Sequence, residues 1–480
     1  MPSRLILRKS GLAALVLGLL VTVSTCLDYL WVGPIPAWLL LSVAATGAAL
    51  GSRLVWRHLQ LNARALGRLV VLPWLVFVLV AGVGDAANGS LADSLSRLVL
   101  LDLAALFLMV TIATWSSLVS PKAVILIVAL IASVQGLVAI AQFLDVQLAW
   151  TLPDLIRHMS SNASALYDVV PGQFDDVGRV RGLQLFVHKF SALQGMLVVF
   201  LLTVVLSGRK SVRLSRVEHW ALFATLSVAG TGLLLSFSRS VILGMVPALI
   251  VAIAADRRLR RPVSVVPLAL SVAAAAVVAY GLDVQHAAQF TRLTELSAAQ
   301  NEPRLAVWAY ALEAFKASPL IGSGYNVGYG VLSIAIHSVP LRILASYGLF
   351  GVLPYLGVLV GIGVMLVRGI LRGSAQQATL CTAALSVGTV ALIDASTHSS
   401  GLLLLDVPQP ALMGMFLGQA ARALSAHHWS AEQYQASDTG TSGWPSPAPL
   451  VSEHGSGPDD SLRDRHALTR VNSVDPERGL

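Results

Sequence analysis

Apolar runs long enough to cross a membrane recur along most of the chain, and they limit its fold more than any other feature. A helix of about 20 such residues crosses a hydrocarbon core about 30 Å thick. Apolar residues make up 55% of the 480 residues and charged residues 12%, whereas charged residues form about 25% of a soluble domain. The pattern therefore predicts an all-α integral membrane protein and excludes a soluble globular one.

The apolar runs predict about twelve transmembrane helices. We place them at residues 11–30, 36–54, 66–83, 98–118, 124–144, 185–206, 220–235, 240–255, 263–282, 341–367, 378–397 and 402–421. The seventh and eighth stay separate because one span over residues 220–255 would put basic clusters on both sides of the bilayer. With two spans, the basic clusters of the short loops fall on one side, which the positive-inside rule assigns to the cytoplasm. Both termini are then predicted to be cytoplasmic.

This topology leaves two long loops on the periplasmic side, which we expect to contain short helices and the functional site. The predicted parts are N-terminal helices (1–144), a first periplasmic loop (145–184), central helices (185–282), a second periplasmic loop (283–340), C-terminal helices (341–422) and a tail (423–480). The tail is rich in Ser, Gly, Pro and Asp, which predicts a disordered cytoplasmic extension.

The second loop contains a predicted helix with a cation near its start. Asn301 is a suitable N-cap and Pro303 fits the first turn, and apolar residues then recur at helical spacing to about Ser318. Arg304 would lie in that first turn, where it opposes the helix dipole. Either an ion pair with Glu302 or an anion bound at the helix N-terminus would offset this placement.

Two further candidates lie on the same face. His337 precedes the tenth span, and an imidazole near a helix N-terminus is biased toward the neutral form that suits a general base, although a structural role is the alternative. Arg239 lies between two short spans, where it could bind an anionic substrate or extend to lipid phosphate. Such cations and an imidazole suit group transfer from a diphosphate-linked lipid donor.

The first loop adds Arg179, Arg181 and His188, which could bind substrate or anchor the loop at the interface. The adjacent acids Asp175 and Asp176 have no apparent third ligand, so we predict no metal site.

Other polar residues in the spans have less specific roles. Asp102, Asp394 and Asp406 could relay protons or pair with Arg97 or His398, and the sequence does not decide between these roles. Cys26 and Cys381 lie near opposite faces of the predicted bilayer, so we expect no disulfide between them.

The order and spacing of these residues resemble the O-antigen ligase and polymerase superfamily. The matching residues are Pro303, Arg304, Trp308, Pro319, Leu320, Gly322, Gly324, His337, Gly348, Leu349 and Gly351, with Ser238–Arg239 and Arg181–Gly182–His188 similar to two earlier elements. Ser338 and the pair Lys189–Phe190 depart from the family pattern, in which Asn and Pro-Asn are usual.

The resemblance implies an inverting membrane glycosyltransferase that needs no metal or cofactor. It would act on undecaprenyl-diphosphate-linked glycans at the periplasmic face of a bacterial inner membrane. Arg239 and Arg304 would then bind the diphosphate, and His337 would activate the acceptor hydroxyl. Arg179, Arg181, His188 and Trp308 are the candidate substrate-binding residues.

Several activities fit this site. The first reading is a ligase that uses lipid A core as acceptor, and the alternative is a polymerase that extends a second lipid-linked glycan. A protein-directed oligosaccharyltransferase is a third possibility within the class. From a different class, a polysaccharide flippase or transporter would also have about twelve spans, but it should show two related halves and a midplane site. No nucleic-acid motif is present.

Overall fold

The computed structural model describes residues 2–32, 35–52, 60, 64, 66–95, 100–158, 180–184, 187–236, 238–256, 298–329, 336, 338–397 and 407–438. The chain divides into two compact units, Met1–Ser430 and Ala431–Leu480. Of the second unit the structure describes residues 431–438, which are helical.

The N-terminal part contains seven helices within the described residues. They are α1 (Pro2–Cys26), α2 (Ala37–Leu50), α3 (Leu72–Ala87), α4 (Leu91–Ser94), α5 (Leu100–Leu118), α6 (Pro121–Phe143) and α7 (Gln147–His158). A two-residue antiparallel pair, β1 (Trp31–Val32) with β2 (Ile35–Pro36), connects α1 to α2, and a π-helical turn, Gly67–Val71, leads into α3. The start of α6 follows from its sequence, because Ser120 caps it and Pro121 occupies its first turn.

The rest of the described chain contains eight helices and a 3₁₀ turn, Tyr325–Tyr329. The helices are α8 (Val187–Leu206), α9 (Arg209–Val212), α10 (Arg216–Leu235), α11 (Arg239–Ala255), α12 (Ala298–Ala317), α13 (Val339–Arg372), α14 (Ala375–Thr397) and α15 (Pro408–Asp438). A capping box, in which Ser215 and Glu218 exchange hydrogen bonds, begins α10.

Among the described residues, five helical segments are long and apolar enough to cross a membrane: Gly67–Ala87, Pro121–Phe143, Val187–Leu206, Val339–Arg372 and Ala375–Thr397. Shorter apolar helices cover Gly11–Cys26, Ala37–Leu50, Asp102–Leu118 and Ser240–Ala255. All of them coincide with predicted spans, which supports an all-α membrane protein. The ninth predicted span, residues 263–282, lies outside the described residues, so the count of twelve stays a prediction.

Helix α8 lies at the centre of the bundle, with every residue from Phe190 to Val205 buried. It contacts α6, α10, α11 and α14. Helices α10 and α11 are separate, as predicted, and pack on different neighbours: α10 on α6, and α11 on α14. Close approach of α10 to α6 depends on small residues, because a Cβ on Gly136 would lie 2.8 Å from the Val228 carbonyl oxygen.

The bundle has two recognisable ends, which we name by their contents. At the basic end, Lys122 binds Glu218 and the Arg422 guanidinium donates to the Val119 carbonyl. At the turn end lie the last residues of α3 and the first residues of α13, joined by residues 319–324. Cys26 and Cys381 are both free and buried, as predicted.

Two helix boundaries differ from the prediction. Helix α12 already includes Ala298, so Asn301 is not its N-cap and Arg304 lies beyond its first turn. The first three residues of this helix, Ala-Ala-Gln, are good helix formers, so Pro303 does not mark its start. Helix α15 continues to Asp438, past the predicted start of the tail at residue 423. Here the Ala-rich sequence after Gln419 continues the helix beyond the apolar run.

Candidate active site

The motif at residues 319–324, which we call the glycine turn, is bound directly to a break in α13. At this break Gly348 has φ +58° and ψ −157°, so the helix is interrupted. Four backbone hydrogen bonds join the two segments: Ser323 N to Ala345 O (3.0 Å), Gly324 N to Ser346 O (2.9 Å), Leu349 N to Pro319 O (2.9 Å) and Phe350 N to Leu320 O (3.0 Å). The backbone groups on either side of the α13 break are therefore the hydrogen-bonding partners of the glycine turn.

Glycine is required on both sides of this contact. Gly322 and Gly324 have φ +72° and +84°, values that L side chains rarely adopt. A Cβ on Gly322 would overlap the Ser346 carbonyl, and one on Gly348 would lie 2.6 Å from the Leu320 carbonyl. The glycines of the predicted motif therefore allow two backbones to touch.

The end of α3 completes this region with a buried carboxylate. Asp85 is 0% exposed, and its Oδ1 accepts hydrogen bonds from the Tyr325 backbone N–H (2.7 Å) and the Ser90 hydroxyl (3.3 Å). Asn88 donates from its side-chain amide to the Gly84 carbonyl at 2.7 Å. The sequence analysis did not single out Asp85, although an acid at the end of an apolar span was an available signal.

Described residues near Arg304 and His337 in sequence are packed together. Val307 and Ala311 of α12 form an apolar cluster with Ile336 and Ala345. Val307 lies one turn after Arg304, and Ile336 directly precedes His337. The Arg304 side chain and all of His337 lie outside the described residues.

Two more side chains of this region are described. Trp308, which follows Val307 in α12, is half-buried. Arg342, in the first turns of α13, is half-buried with its guanidinium carbon 5.6 Å from the centre of the Tyr325 ring. Arg342 was not a sequence candidate, and its position beside the glycine turn could not be inferred without the α13 break.

A second region at the turn end holds Arg181. The Arg181 and Gly182 backbone N–H groups both donate to Gln142 Oε1 at 2.9 Å, and the Leu183 N–H donates to Gln135 Oε1 at 2.9 Å. The Gln142 side-chain amide donates in return to the Gly182 carbonyl at 2.8 Å. Two buried glutamines of α6 thus fix the backbone of the Arg-Gly element, while the Arg181 side chain is half-buried.

The turn before Arg239 is packed beside this element. Leu235, the last residue of α10, is buried with Val180, Phe190 and Ala139. Arg239 begins α11 after the buried Ser238, and its side chain lies outside the description. The structure therefore brings the Arg181 and Arg239 segments to one apolar cluster.

The first turn of α8 contributes a half-buried His188 and an ion pair. Lys189 Nζ lies 3.1 Å from Asp28 Oδ2, with the two side chains 10% and 3% exposed. Lys189, which departs from the family pattern, thus ties α8 to the end of α1.

The remaining acidic candidates divide into two groups. Asp102 and Asp394 are buried in α5 and α14, and each makes an interaction with its surroundings. Arg179, Asp175, Asp176 and Asp406 lie outside the described residues. Among the residues that are described, no group of three potential metal ligands occurs.

Comparison with known families finds a match to the part of the chain that contains the glycine turn and the α13 break. Residues 221–356 match the family model of the O-antigen ligases. This match confirms the resemblance predicted from the sequence, and it runs from α10 through the glycine turn to the break in α13. It covers less than half of the chain. No curated protein matches the chain.

Proposed function

We propose that this protein transfers a glycan from an undecaprenyl-diphosphate carrier to an acceptor hydroxyl at the periplasmic face of the bacterial inner membrane. The observation that carries the proposal is the O-antigen ligase match over residues 221–356, because this segment contains Arg239, Arg304, His337 and the glycine turn. The match supports ligase or polymerase activity, lipid-linked glycan substrates and a membrane environment, and it favours a transferase over a flippase.

In the proposed reaction the acceptor oxygen attacks the anomeric carbon while the bond from that carbon to the diphosphate oxygen breaks. His337 takes the proton of the attacking hydroxyl. Arg239 and Arg304 stabilise the charge of the departing diphosphate, since planar guanidinium groups bind phosphate oxygens in pairs. The attack and departure occur on opposite sides of the carbon, which inverts its configuration. No step requires a metal or cofactor.

The packing of the described residues supports this division of roles. The apolar cluster of Val307, Ala311, Ile336 and Ala345 packs the residue before His337 against the helix of Arg304. The Val180 cluster places the Arg181 element beside the turn before Arg239. We assign Arg179, Arg181, His188 and Trp308 to substrate binding around these groups.

The acceptor is proposed to be lipid A core, as in a ligase. A polymerase would use the same donor site but accept a second lipid-linked glycan. We further propose a multi-pass inner-membrane protein in which the basic end and both termini face the cytoplasm. Lys122, Arg422 and the short basic loops support this orientation.

Purified protein incubated with undecaprenyl-diphosphate-linked glycan and each candidate acceptor tests the proposal, with products identified by mass. We expect a glycan joined to lipid A core; elongation of the lipid-linked glycan alone would identify a polymerase. The absence of any transfer would contradict the proposal.

Variants test the assigned roles in the same assay. Arg239→Lys and Arg304→Lys should lose most activity because a lysine cannot bind two phosphate oxygens with one planar fork. His337→Ala should abolish transfer. Arg368→Lys, distant in sequence from the proposed donor-binding segments, is the matched control and should retain activity. Wild-type turnover in both site arginine variants would refute paired phosphate binding.

A further inference from the structure

We propose that Asp85 is a positioning residue that holds the glycine turn, and with it the segments of Arg304 and His337, in the geometry that transfer requires. The functional part of this inference rests on the proposed function. Asp85 lies on α3, far outside the family-matched segment, and nothing in the comparisons assigns it a role.

The first step of the argument is the contact itself. The Tyr325 N–H, which donates to Asp85 at 2.7 Å, directly follows Gly324 and begins the 3₁₀ turn Tyr325–Tyr329. The Ser90 hydroxyl donates to the same oxygen at 3.3 Å. The carboxylate thus joins the end of α3 to the exit of the glycine turn, across 240 residues of sequence.

Burial gives this contact its importance. A carboxylate at the end of an apolar span is costly, so its placement needs a compensating role. Asp85 is fully buried, and Tyr347, the residue before the α13 break, lies beside it with only 3% of its surface exposed. Water cannot replace the carboxylate at this site without a rearrangement of the turn.

The position of the turn explains the functional consequence. The glycine turn follows the C-terminal end of α12 and is hydrogen-bonded to α13 around Gly348. Arg304 lies in the N-terminal half of α12, and α13 begins two residues after His337. The Arg342 guanidinium also packs on the Tyr325 ring. If the Tyr325 N–H lost its acceptor, the two segments would shift relative to each other, and a displacement of about 1 Å can cost about a hundredfold in rate.

Two substitutions separate positioning from charge. Asp85→Leu keeps the branched shape of the side chain and suits the apolar span but removes the acceptor, whereas Asp85→Asn keeps an acceptor oxygen and removes the charge. We expect Asp85→Leu to lower kcat for transfer by about ten- to a hundredfold, with the KM for the lipid-linked donor unchanged. We expect Asp85→Asn to retain most of the wild-type kcat.

Hydrogen exchange provides a readout that does not depend on activity. In Asp85→Leu, the peptide that contains Tyr325 should exchange its amide faster, and in Asp85→Asn it should remain protected. Gln376→Ala is the control, because it removes a half-buried hydrogen-bonding side chain at the basic end without touching the glycine turn. It should leave exchange at Tyr325 unchanged.

These outcomes distinguish the two proposals. Unchanged exchange and unchanged kcat in Asp85→Leu would overturn the positioning role, and equal loss of kcat in both Asp85 variants would show that the charge acts instead. If exchange rises in Asp85→Leu but the wild-type protein transfers no glycan, Asp85 holds the turn and the proposed function fails.

Discussion

The two ends of the helical bundle are held together by different means. At the turn end, backbones touch at glycines, and buried carboxylate and amide side chains bind backbone N–H groups. At the basic end, Lys122 and Glu218 form a contact of 2.6 Å, with their side chains 40% and 30% exposed. Solvent can take the place of either partner in the Lys122–Glu218 pair, but not of the buried Asp85 or Gln142 side chains.

This difference indicates which contacts should be most sensitive to substitution. Buried hydrogen bonds have few alternative arrangements, because an unsatisfied group in a low-dielectric interior is costly. Exposed ion pairs contribute little and adapt to substitution. Substitutions should therefore have large effects at the turn end and small effects at the basic end, in the following order.

The largest effect is expected for Gly322→Ala. The new methyl group would overlap the Ser346 carbonyl, and φ +72° is unfavourable for alanine. We expect loss of transfer activity and a sharp fall in the yield of folded protein, measured by size-exclusion chromatography in detergent. Gly363→Ala in α13 is the control: nothing lies within 4 Å of its Cβ position, so it should behave as wild type.

Next in size is Lys189→Ala. It leaves the buried Asp28 without its cation, and breaking a buried pair costs about 3–5 kcal/mol. Denaturant titration in micelles should show this loss. The double variant Lys189→Met with Asp28→Leu should recover most of it, and a double variant as unstable as the single one would contradict a simple ion pair.

A smaller loss, about 2–4 kcal/mol, is expected for Gln142→Ala, because several buried backbone groups around Gly182 lose their partners. The same titration measures it. Gln376→Ala at the basic end is matched to it, since Gln376 is half-buried and its side-chain amide donates to the Val212 carbonyl. Equal losses in the two variants would remove the distinction between the ends.

The smallest effect is expected for Glu218→Gln, which keeps a residue able to complete the capping box of α10. The pKa of Glu218 is lowered to about 2. The hydrogen bond from Lys122 contributes most to this lowering, and the hydrogen bond from the Ser215 backbone N–H contributes the next largest part. A lowered pKa stabilises the fold above the ordinary carboxyl pKa, and this contribution disappears as the pH falls toward about 2. The difference in thermal midpoint between wild type and Glu218→Gln should therefore be the same at pH 7 and pH 5. A difference that disappears by pH 5 would contradict the Lys122 contact.

The sequence was sufficient for the helices but not for all of their limits. Apolar runs predicted the segments around α6, α8, α13 and α14, because bilayer thickness fixes their length. The break between α10 and α11 was predicted from the sides on which basic residues would fall. The start of α12 was wrong, because Pro303 was taken as an N-terminal signal although the residues before it favour helix.

The sequence predicted only those residues of the site that belong to short local motifs. Gly322, Gly324 and Gly348 were recognised from the resemblance to the O-antigen ligase and polymerase superfamily, and the structure shows the backbone contact they allow. Asp85 and Gln142 were missed because their partners lie far away in sequence, and no local pattern links an acid in the third span to the Tyr325 amide.

The break in α13 also limits which insertions, deletions and substitutions the glycine turn can accept. The four hydrogen bonds form two pairs, one on each side of the α13 break, so adding or deleting one residue between Leu320 and Ser323 would prevent both pairs from forming at once. Leu320 and Ile321 expose much of their side chains, so their identity is far less constrained. Homologous turns should therefore keep both glycines and the same number of residues, while the residue at position 321 is free to vary.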